Sequence, residues 1–296
     1  MLNFRPIKSD DYSVAAPIMR QSGCISTDAN FVALYMWSKY YNTKICITET
    51  NVFLRVETEK GNMYIYPHGE NMFSALMEIL ETEGGEEAKF ISIPERIKEK
   101  MENAFPGEFT FSEKRESFDY IYKRETLATL PGRKLHQKRT NINKFLSRYE
   151  GRYTYAPLKK SDAEEILAFQ KRWVDAATEK DGKETLDYES SAIAELFETF
   201  DKFNLRGGIL RVDGDIAAYC IASEINDTAL DIMVEKANGE YIGAYQMINK
   251  LFAENGCADI EYINREEDMG IEGLRRAKLS YCPELLIKKY GAVWKR

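Results

Sequence analysis

The sequence contains few of the residues that build metal centres and disulfide frameworks. Among 296 residues there are two histidines and five cysteines, and no two cysteines form a CxxC pair. A scattered and odd set of cysteines indicates reduced thiols. Neither His68 nor His136 has a histidine or cysteine at ligand spacing, so we expect no zinc site and no cysteine–histidine nucleophile. We assign no metal ligands, although carboxylates alone could bind magnesium.

Long apolar runs are also missing. No run approaches the roughly 18–20 residues that span a bilayer, and the first residues, MLNFRPIKSDDY, lack the apolar segment of a signal peptide. We therefore expect no transmembrane segment and a cytoplasmic location. The formal net charge of -7 argues against a protein that coats nucleic acid nonspecifically, because such binding needs many basic contacts. A single basic strip could still bind one anionic ligand.

One stretch reverses this charge. Residues 130–151 read LPGRKLHQKRTNINKFLSRYEG, which predicts a helix that opens at Pro131-Gly132 and stops at Gly151. Its apolar stripe is interrupted by Lys138 and Arg139. Two interpretations remain open, a contact with phosphate or another polyanion and a solvated linker helix. The cations of this stretch are Arg133, Lys134, Lys138, Arg139, Lys144 and Arg148.

A second pattern repeats along the chain. Pro6-Ile7 precedes the helix cap 8–10, and Pro157-Leu158 precedes the cap 160–162, at an offset of 151 residues. This offset suggests two copies of one domain, and the mixed order of helix and strand patterns is typical of an α+β fold. We predict one domain over 1–130, a bridging basic helix over 131–150 and a second domain over 151–296. Residues 173–188 are expected to form a polar loop.

The second half contains a strand, a glycine-bearing loop and a helix in succession. The strand pattern ends at Val234, the loop carries Gly239 and Gly243, and a helix pattern follows to Phe252. Free backbone N–H groups in such a loop can bind a pyrophosphate or a carboxylate. The order resembles the GCN5-related N-acetyltransferase (GNAT) fold, which implies that the two glycines bind coenzyme A. Glu240 and Tyr245 depart from that loop pattern and disfavour a pyrophosphate.

Another charged stretch covers residues 264–281. A strand pattern ends at Asn264, an acidic loop follows, and a short helix from about Ile271 presents Arg275 and Lys278 on neighbouring positions. Loops that follow strand ends commonly bind ligands. The alternative is a surface network of acidic and basic side chains.

The basic stretch over 130–151 and the charged stretch over 264–281 together resemble the DUF2156 proteins, which are similar to the soluble C-terminal domain of phosphatidylglycerol lysyltransferase. The resemblance is carried by residues 130–145 and 264–281, and residues 30–37 also fit. It implies two tandem GNAT-like domains joined by the long basic helix, with the active cleft in the second copy. It also implies kinship with the Fem aminoacyl transferases, which use aminoacyl-tRNA.

The resemblance further implies roles for individual residues. Lys134, Lys138 and Arg139 would contact phosphate, with Asn141 beside them, while Arg275 and Lys278 would hold the acceptor or the tRNA end. Asn264, Glu267 and Asp268 would position the amino group. Tyr281 would donate a proton, and Glu267, Asp268 and Tyr281 would thus form the catalytic set.

Three functions follow in order of preference. The first is aminoacyl transfer from the 3′ end of tRNA to an amine or hydroxyl acceptor, which could be a small molecule or a lipid headgroup. The second is acyl transfer from a coenzyme A thioester. The third is a noncatalytic module that binds a small anion. Neither the acceptor nor the oligomeric state follows from the sequence.

Overall fold

The computed structural model describes residues 2–176 and 183–295. The middle of the expected loop over 173–188 therefore lies outside the described residues, and both of its flanks are helical. None of the helices in the described ranges is long and apolar enough to cross a bilayer. The helices are α1 (Tyr12–Arg20), α2 (Phe31–Trp37), α3 (Met72–Thr82), α4 (Glu95–Ala104), α5 (Arg124–Thr129), α6 (His136–Tyr149), α7 (Ala163–Asp175), α8 (Lys183–Glu198), α9 (Ala244–Asn255) and α10 (Glu272–Leu279).

The strands range from two to twelve residues in length. They are β1 (Arg5–Pro6), β2 (Thr43–Ile47), β3 (Asn51–Thr58), β4 (Gly61–Gly69), β5 (Glu87–Pro94), β6 (Phe109–Glu113), β7 (Asp119–Lys123), β8 (Tyr153–Pro157), β9 (Arg206–Val212), β10 (Asp215–Asn226), β11 (Ala229–Ala237), β12 (Tyr262–Asn264), β13 (Leu285–Ile287) and β14 (Lys289–Lys295).

Local sequence signals explain several of these elements. The Asn71 side chain accepts a hydrogen bond from the backbone N–H of Ser74 and caps α3. Asp213-Gly214, a dipeptide that favours hairpin turns, connects β9 and β10, and both of its residues have positive φ (53° and 93°). The strand pattern that ends at Asn264 forms a strand over three residues, Tyr262–Asn264.

The first compact unit contains residues 1–120, 266–275 and 285–296. Its sheet has the strand order β1-β2-β3-β4-β5-β14-β6, in which β4 and β5 run parallel and the other neighbours antiparallel. The C-terminal strand β14 thus lies between β5 and β6, with Tyr290 opposite both Ile93 and Glu113. Apolar residues of α3 and of these strands form the core of this unit.

The second compact unit contains residues 121–265 and 276–284. Its strands follow the order β8-β9-β10-β11-β12-β7, with β11 and β12 parallel and the other neighbours antiparallel. Strand β7 precedes the rest of this unit in the chain, yet it pairs with β12, where Tyr122 lies opposite Ile263. Helix α9 contributes buried Met247, Ile248 and Phe252.

The two sheets share one strand topology. The order β1-β2-β3-β4-β5-β14 matches β8-β9-β10-β11-β12-β7 position by position, and the single parallel pair falls in the same place. The caps repeat as well. The backbone N–H of Lys8 donates to Asp11 at 2.8 Å, and that of Lys159 donates to Asp162 at 2.7 Å. The predicted α+β fold with two similar domains and the offset of 151 residues are confirmed.

The units differ from the predicted ranges 1–130 and 151–296. Residues 266–275 and 285–296 belong to the first unit, and residues 121–130 belong to the second. The physical reason is that each sheet takes the strand beside its parallel pair from a distant part of the chain, β14 in one case and β7 in the other. A repeat in local sequence does not reveal such long-range pairing.

The basic helix also differs from expectation. Helix α6 begins at His136, five residues after Pro131, because Leu130 and Gly132 have left-handed backbones (φ 48° and 74°). The Arg139 guanidinium donates to the carbonyl groups of both residues, at 2.5 and 2.7 Å, and holds this turn. Gly151 has φ 71° after the helix, as predicted. Since α6 lies wholly within the second unit, its expected role as a bridge between domains is not confirmed.

A buried ion cluster organises the first unit. The Lys289 ammonium, only 2% exposed, lies 2.5 Å from Asp28 and 2.8 Å from Asp119, and the Glu267 carboxylate is 3.9 Å away. Asp119 also accepts hydrogen bonds from the hydroxyl of Ser26 and from the backbone at residue 27. Burial lowers the pKa of Lys289, but the surrounding carboxylates outweigh it and hold that pKa well above its usual value.

We expect Lys289→Met to destabilise the protein by about 3–5 kcal/mol, because it leaves two buried carboxylates without their cation. Urea denaturation monitored by circular dichroism measures the change. Lys288→Met is the matched control, since the neighbouring ammonium pairs with Glu95 on the surface and is 45% exposed. Equal and small effects of the two substitutions would show that the cluster contributes little to stability.

Candidate active site

Two cations of the second unit lie near the ring of one tyrosine, and a third cation binds the backbone beside them. The Lys138 ammonium lies 4.0 Å from the centre of the Tyr281 ring, and the Arg265 guanidinium carbon lies 5.0 Å from it. The ammonium of Lys278 donates to the carbonyl group of Arg265 at 2.5 Å. Lys138 comes from α6, Arg265 directly follows β12, and Lys278 comes from α10. We call these four residues the basic cluster.

Beneath the basic cluster lies a buried polar network. Glu235, at the end of β11, accepts from Arg265 at 2.8 Å and from the side-chain amide of Asn249 at 3.2 Å. The Arg265 guanidinium also lies 5.8 Å from the ring of Tyr122. This network fixes Arg265, whereas Lys138 has no carboxylate within 4.0 Å in the described ranges of the chain. The cluster therefore presents an ammonium that an anion can neutralise.

Burial changes the acid–base properties of the cluster. Loss of solvation, followed by repulsion from Arg265, lowers the pKa of Lys138. Burial raises the pKa of the Tyr281 phenol well above its usual value, and the nearby Arg265 only partly opposes this. Tyr281 is therefore a neutral phenol at physiological pH. A neutral phenol beside cations can donate a hydrogen bond to an oxyanion.

Asp268 belongs to a different network, within the first unit. It is fully buried and accepts five hydrogen bonds, from Arg115 (2.9 Å), Tyr120 (2.6 Å), Gly270 (2.9 Å) and twice from Arg275 (2.9 Å each). Burial raises its pKa, but the bonds from Arg275 and its neighbours outweigh burial and keep that pKa far below its usual value. We reassign Asp268 from catalysis to holding the loop, because its oxygens are saturated.

Arg275 and Glu267 flank Asp268 in this unit. Arg275 is bidentate to Asp268, so that the structure places it in an ion pair of the first unit. Glu267 is 35% exposed and lies near the Lys289 ammonium. The loop that carries Glu267 and Asp268 is strained, since Glu266 and Met269 have positive φ (55° and 50°).

The remaining predicted residues of the basic stretch have separate roles. Lys134 is exposed in the turn before α6. The Arg139 guanidinium donates to backbone carbonyl groups and thereby stabilises the turn before α6. The Asn141 side chain accepts from Gln137 at 3.4 Å. Asn264 is fully buried at the end of β12, next to Arg265. Only Lys138 and Lys278, among the predicted cations, join Tyr281 in one cluster.

The two loop glycines differ from each other. Gly243 has φ 86°, and a Cβ atom at this position would lie 2.4 Å from the backbone oxygen of Asn141. It therefore allows the start of α9 to approach α6. Gly239 has no heavy atom within 4 Å of such a Cβ. The expected coenzyme A loop is thus partly occupied by protein backbone.

Arg265, Glu235 and Asn249 position this cluster, and none of them was predicted as a site residue from the sequence. Arg265 follows the identified Asn264 directly, so its place after a strand end was a usable signal. Glu235 and Asn249 are separated from it by 30 and 16 positions, and their contact depends on the pairing of β11 with β12. In the described ranges, no group of three or more histidine, cysteine, aspartate or glutamate side chains could hold a metal ion.

We expect Gly243→Ala to destabilise the protein by at least about 1–2 kcal/mol, through a left-handed backbone and a backbone clash. Gly239→Ala is the matched control and should leave the melting temperature unchanged. If the loop instead binds coenzyme A, millimolar coenzyme A should raise the melting temperature, and Gly239→Ala should reduce that rise. Equal melting temperatures for both variants would contradict the packing role of Gly243.

Known proteins were compared with this chain. A conserved protein of unknown function from Bacteroides thetaiotaomicron is 32% identical, with all of both chains covered and a TM-score of 0.92. Two more distant structures share the fold. L-PGS from Bacillus licheniformis is 12% identical (88% of this chain, 87% of that chain, TM-score 0.60), and the DUF2156 domain from Agrobacterium fabrum is 15% identical (96% and 92%, TM-score 0.65).

A curated relative and a family complete the comparison. An uncharacterized protein of Mycoplasmoides gallisepticum is 25% identical over 179 residues, which are 59% of this chain and 55% of that protein. The chain thus matches about half the length of this curated relative. The family described as phosphatidylglycerol lysyltransferase, C-terminal, matches residues 20–293. Because this match covers nearly all of the sequence, the chain belongs to the family of the phosphatidylglycerol lysyltransferase C-terminal domain.

Proposed function

We propose that the protein transfers an aminoacyl group from the 3′ end of tRNA to an amine or hydroxyl acceptor, at the basic cluster of the second unit. One observation carries this proposal. A half-buried Lys138 ammonium, which has no carboxylate within 4.0 Å among the residues that the structure describes, lies 4.0 Å from the ring of a buried, neutral Tyr281. The family supports a transferase, and its name supports a lysyl-type aminoacyl group.

The proposed roles follow from the charges. Lys138 binds a phosphate of the tRNA end, and its position at the open side of α6 suits a point contact with an anion. Lys278 holds the carbonyl group of Arg265, so that it orients the guanidinium beside Tyr281. Asn264 helps to orient the amino group from the end of β12. These assignments place the donor against the second unit.

Chemistry at this site would pass through a tetrahedral intermediate. The acceptor nucleophile attacks the ester carbonyl carbon, and the carbonyl oxygen becomes negative. The intermediate then collapses as the ester C–O bond breaks, and the proton lost by the nucleophile passes to the departing ribose oxygen. The Tyr281 phenol donates a hydrogen bond to the developing oxyanion, and the Arg265 guanidinium stabilises its charge. Glu235 and Asn249 keep Arg265 in place without reorganisation during the reaction.

The acyl coenzyme A alternative has weaker support. The glycine loop would have to receive a pyrophosphate at the start of α9, where Gly243 already lies against the Asn141 backbone. Glu240 is exposed in the same loop, and its carboxylate repels phosphate. The acceptor is considered separately from the donor. The family name supports a phosphatidylglycerol hydroxyl, which we retain as a proposal.

We expect Lys138→Ala to weaken binding of aminoacylated tRNA by about 10- to 100-fold, the effect of losing one charge-assisted contact. Lys144→Ala is the matched control, because Lys144 is exposed on the same helix. Filter binding at several salt concentrations measures both affinities, and the salt dependence should become shallower only for Lys138→Ala.

The pH dependence sharpens the same test. Since burial and the nearby Arg265 lower the pKa of Lys138, its positive charge is lost at a lower pH than that of an ordinary lysine. Affinity should therefore fall as pH rises through the alkaline range, and Lys138→Arg should reduce this fall. Equal losses for Lys138→Ala and Lys144→Ala, or no binding of tRNA by the unmodified protein, would contradict the proposal.

A further inference from the structure

The second unit contains a cleft that the proposed function does not use. It has a volume of about 870 Å³ and lies between α7 and the segment from the end of β11 through the glycine loop. Its lining includes Phe169, Trp173 and Tyr241 as aromatic residues. Its charged lining residues are Arg172, Asp215 and Glu240. We call it the α7 cleft.

The aromatic wall of the α7 cleft is held in place. The indole N–H of Trp173 donates to the carbonyl group of Ala237 at 3.2 Å. The Lys236 ammonium lies 4.3 Å from the centre of the same ring and forms an ion pair with Glu189 at 2.8 Å. Lys236 and Glu189 balance each other's charge, since both side chains are 12% exposed and in contact. The wall is therefore rigid and electrically neutral.

A carboxylate is positioned in the loop beside this wall. The Asn238 side chain accepts from the backbone N–H of Glu240 at 3.0 Å and donates to the Glu240 carboxylate at 3.2 Å. Burial, and after it the charges of Asp215 and Glu240, raises the pKa of Tyr241. Both carboxylates thus act on the aromatic lining.

Among the residues that the structure describes, the lining of the α7 cleft carries more negative than positive charge. Arg172 contributes a guanidinium to the described lining. This group lies close enough to Glu165 to help lower the pKa of that carboxyl, although Arg211 lowers it more. Asp215 and Glu240 are both exposed to solvent in the cleft. Aromatic faces and carboxylates together attract organic cations and repel phosphates and carboxylates.

We propose that the α7 cleft is a binding site for a small organic cation, namely an ammonium group attached to an apolar body. The apolar body packs against Phe169, Trp173 and Tyr241. The ammonium group lies beside Asp215 and Glu240, where charge complementarity compensates its loss of solvation. The site is separate from Lys138 in its residues and in the sign of its ligand. It goes beyond the proposed transfer reaction and does not require it.

The test uses the full chain and three probes that share a benzene ring and differ in charge, benzyltrimethylammonium, benzyl alcohol and benzoate. Binding is followed through the Trp173 indole signal in a ¹H–¹⁵N NMR titration. The cation should shift that signal saturably and bind at least about 10-fold more tightly than the alcohol, and benzoate should bind more weakly still. The double variant Asp215→Asn, Glu240→Gln should weaken binding of the cation by about 5- to 30-fold.

Two control variants complete the experiment. Glu150→Gln removes an exposed carboxylate outside the cleft and should leave cation binding unchanged. Lys138→Ala should also leave it unchanged, so that failure of the proposed transfer site and failure of this site give different results. Equal binding of the alcohol, stronger binding of benzoate, no saturable shift, or no effect of the double variant would each overturn the proposal.

Discussion

The ion cluster around Lys289 is the constraint on which the first unit depends. One buried ammonium near the C-terminus meets Asp28 from the segment before α2 and Asp119 from the start of β7. Three distant parts of the chain must therefore come together before any of these charges is compensated. The same strand, β14, completes the first sheet between β5 and β6. The segment that carries Lys289 is therefore far from its neighbours in the sequence but lies between them in the sheet. Both the pairing of β14 and the neutralisation of the Lys289 charge fix its position there.

Much of the fold follows from short-range signals in the sequence. The caps at Asp11 and Asp162, the hairpin at Asp213-Gly214 and the offset of 151 residues depend on local hydrogen bonding, which residue type controls directly. The placement of β7 and β14 in their sheets does not depend on local signals, because the sequences of these two strands look like those of any other strands. The start of α6 was misplaced for a similar reason. Arg139 reaches back to Leu130 and Gly132, and a helical pattern does not show that contact.

The candidate site shows the same division between local and distant signals. Lys138, Lys278 and Tyr281 were predicted from charge pattern and family resemblance, and the structure brings them into one cluster. Glu235 and Asn249 could not be predicted, since their role depends on the register between β11 and β12. Asp268 looked catalytic by position, but its five hydrogen bonds keep it ionised and occupied. Charge in a sequence does not distinguish a free group from a saturated one.

These observations give the duplicated fold two different interiors. The first unit uses buried charges to hold its chain segments. In the second, an ammonium with no carboxylate within 4.0 Å in the described part of the chain lies beside a neutral phenol. The most direct test is a crystal structure with a non-hydrolysable 3′-aminoacylamino analogue of the tRNA end. The account predicts a phosphate oxygen within about 4 Å of the Lys138 ammonium and the acyl carbonyl group beside Tyr281. An analogue bound elsewhere, with the basic cluster empty, would contradict it.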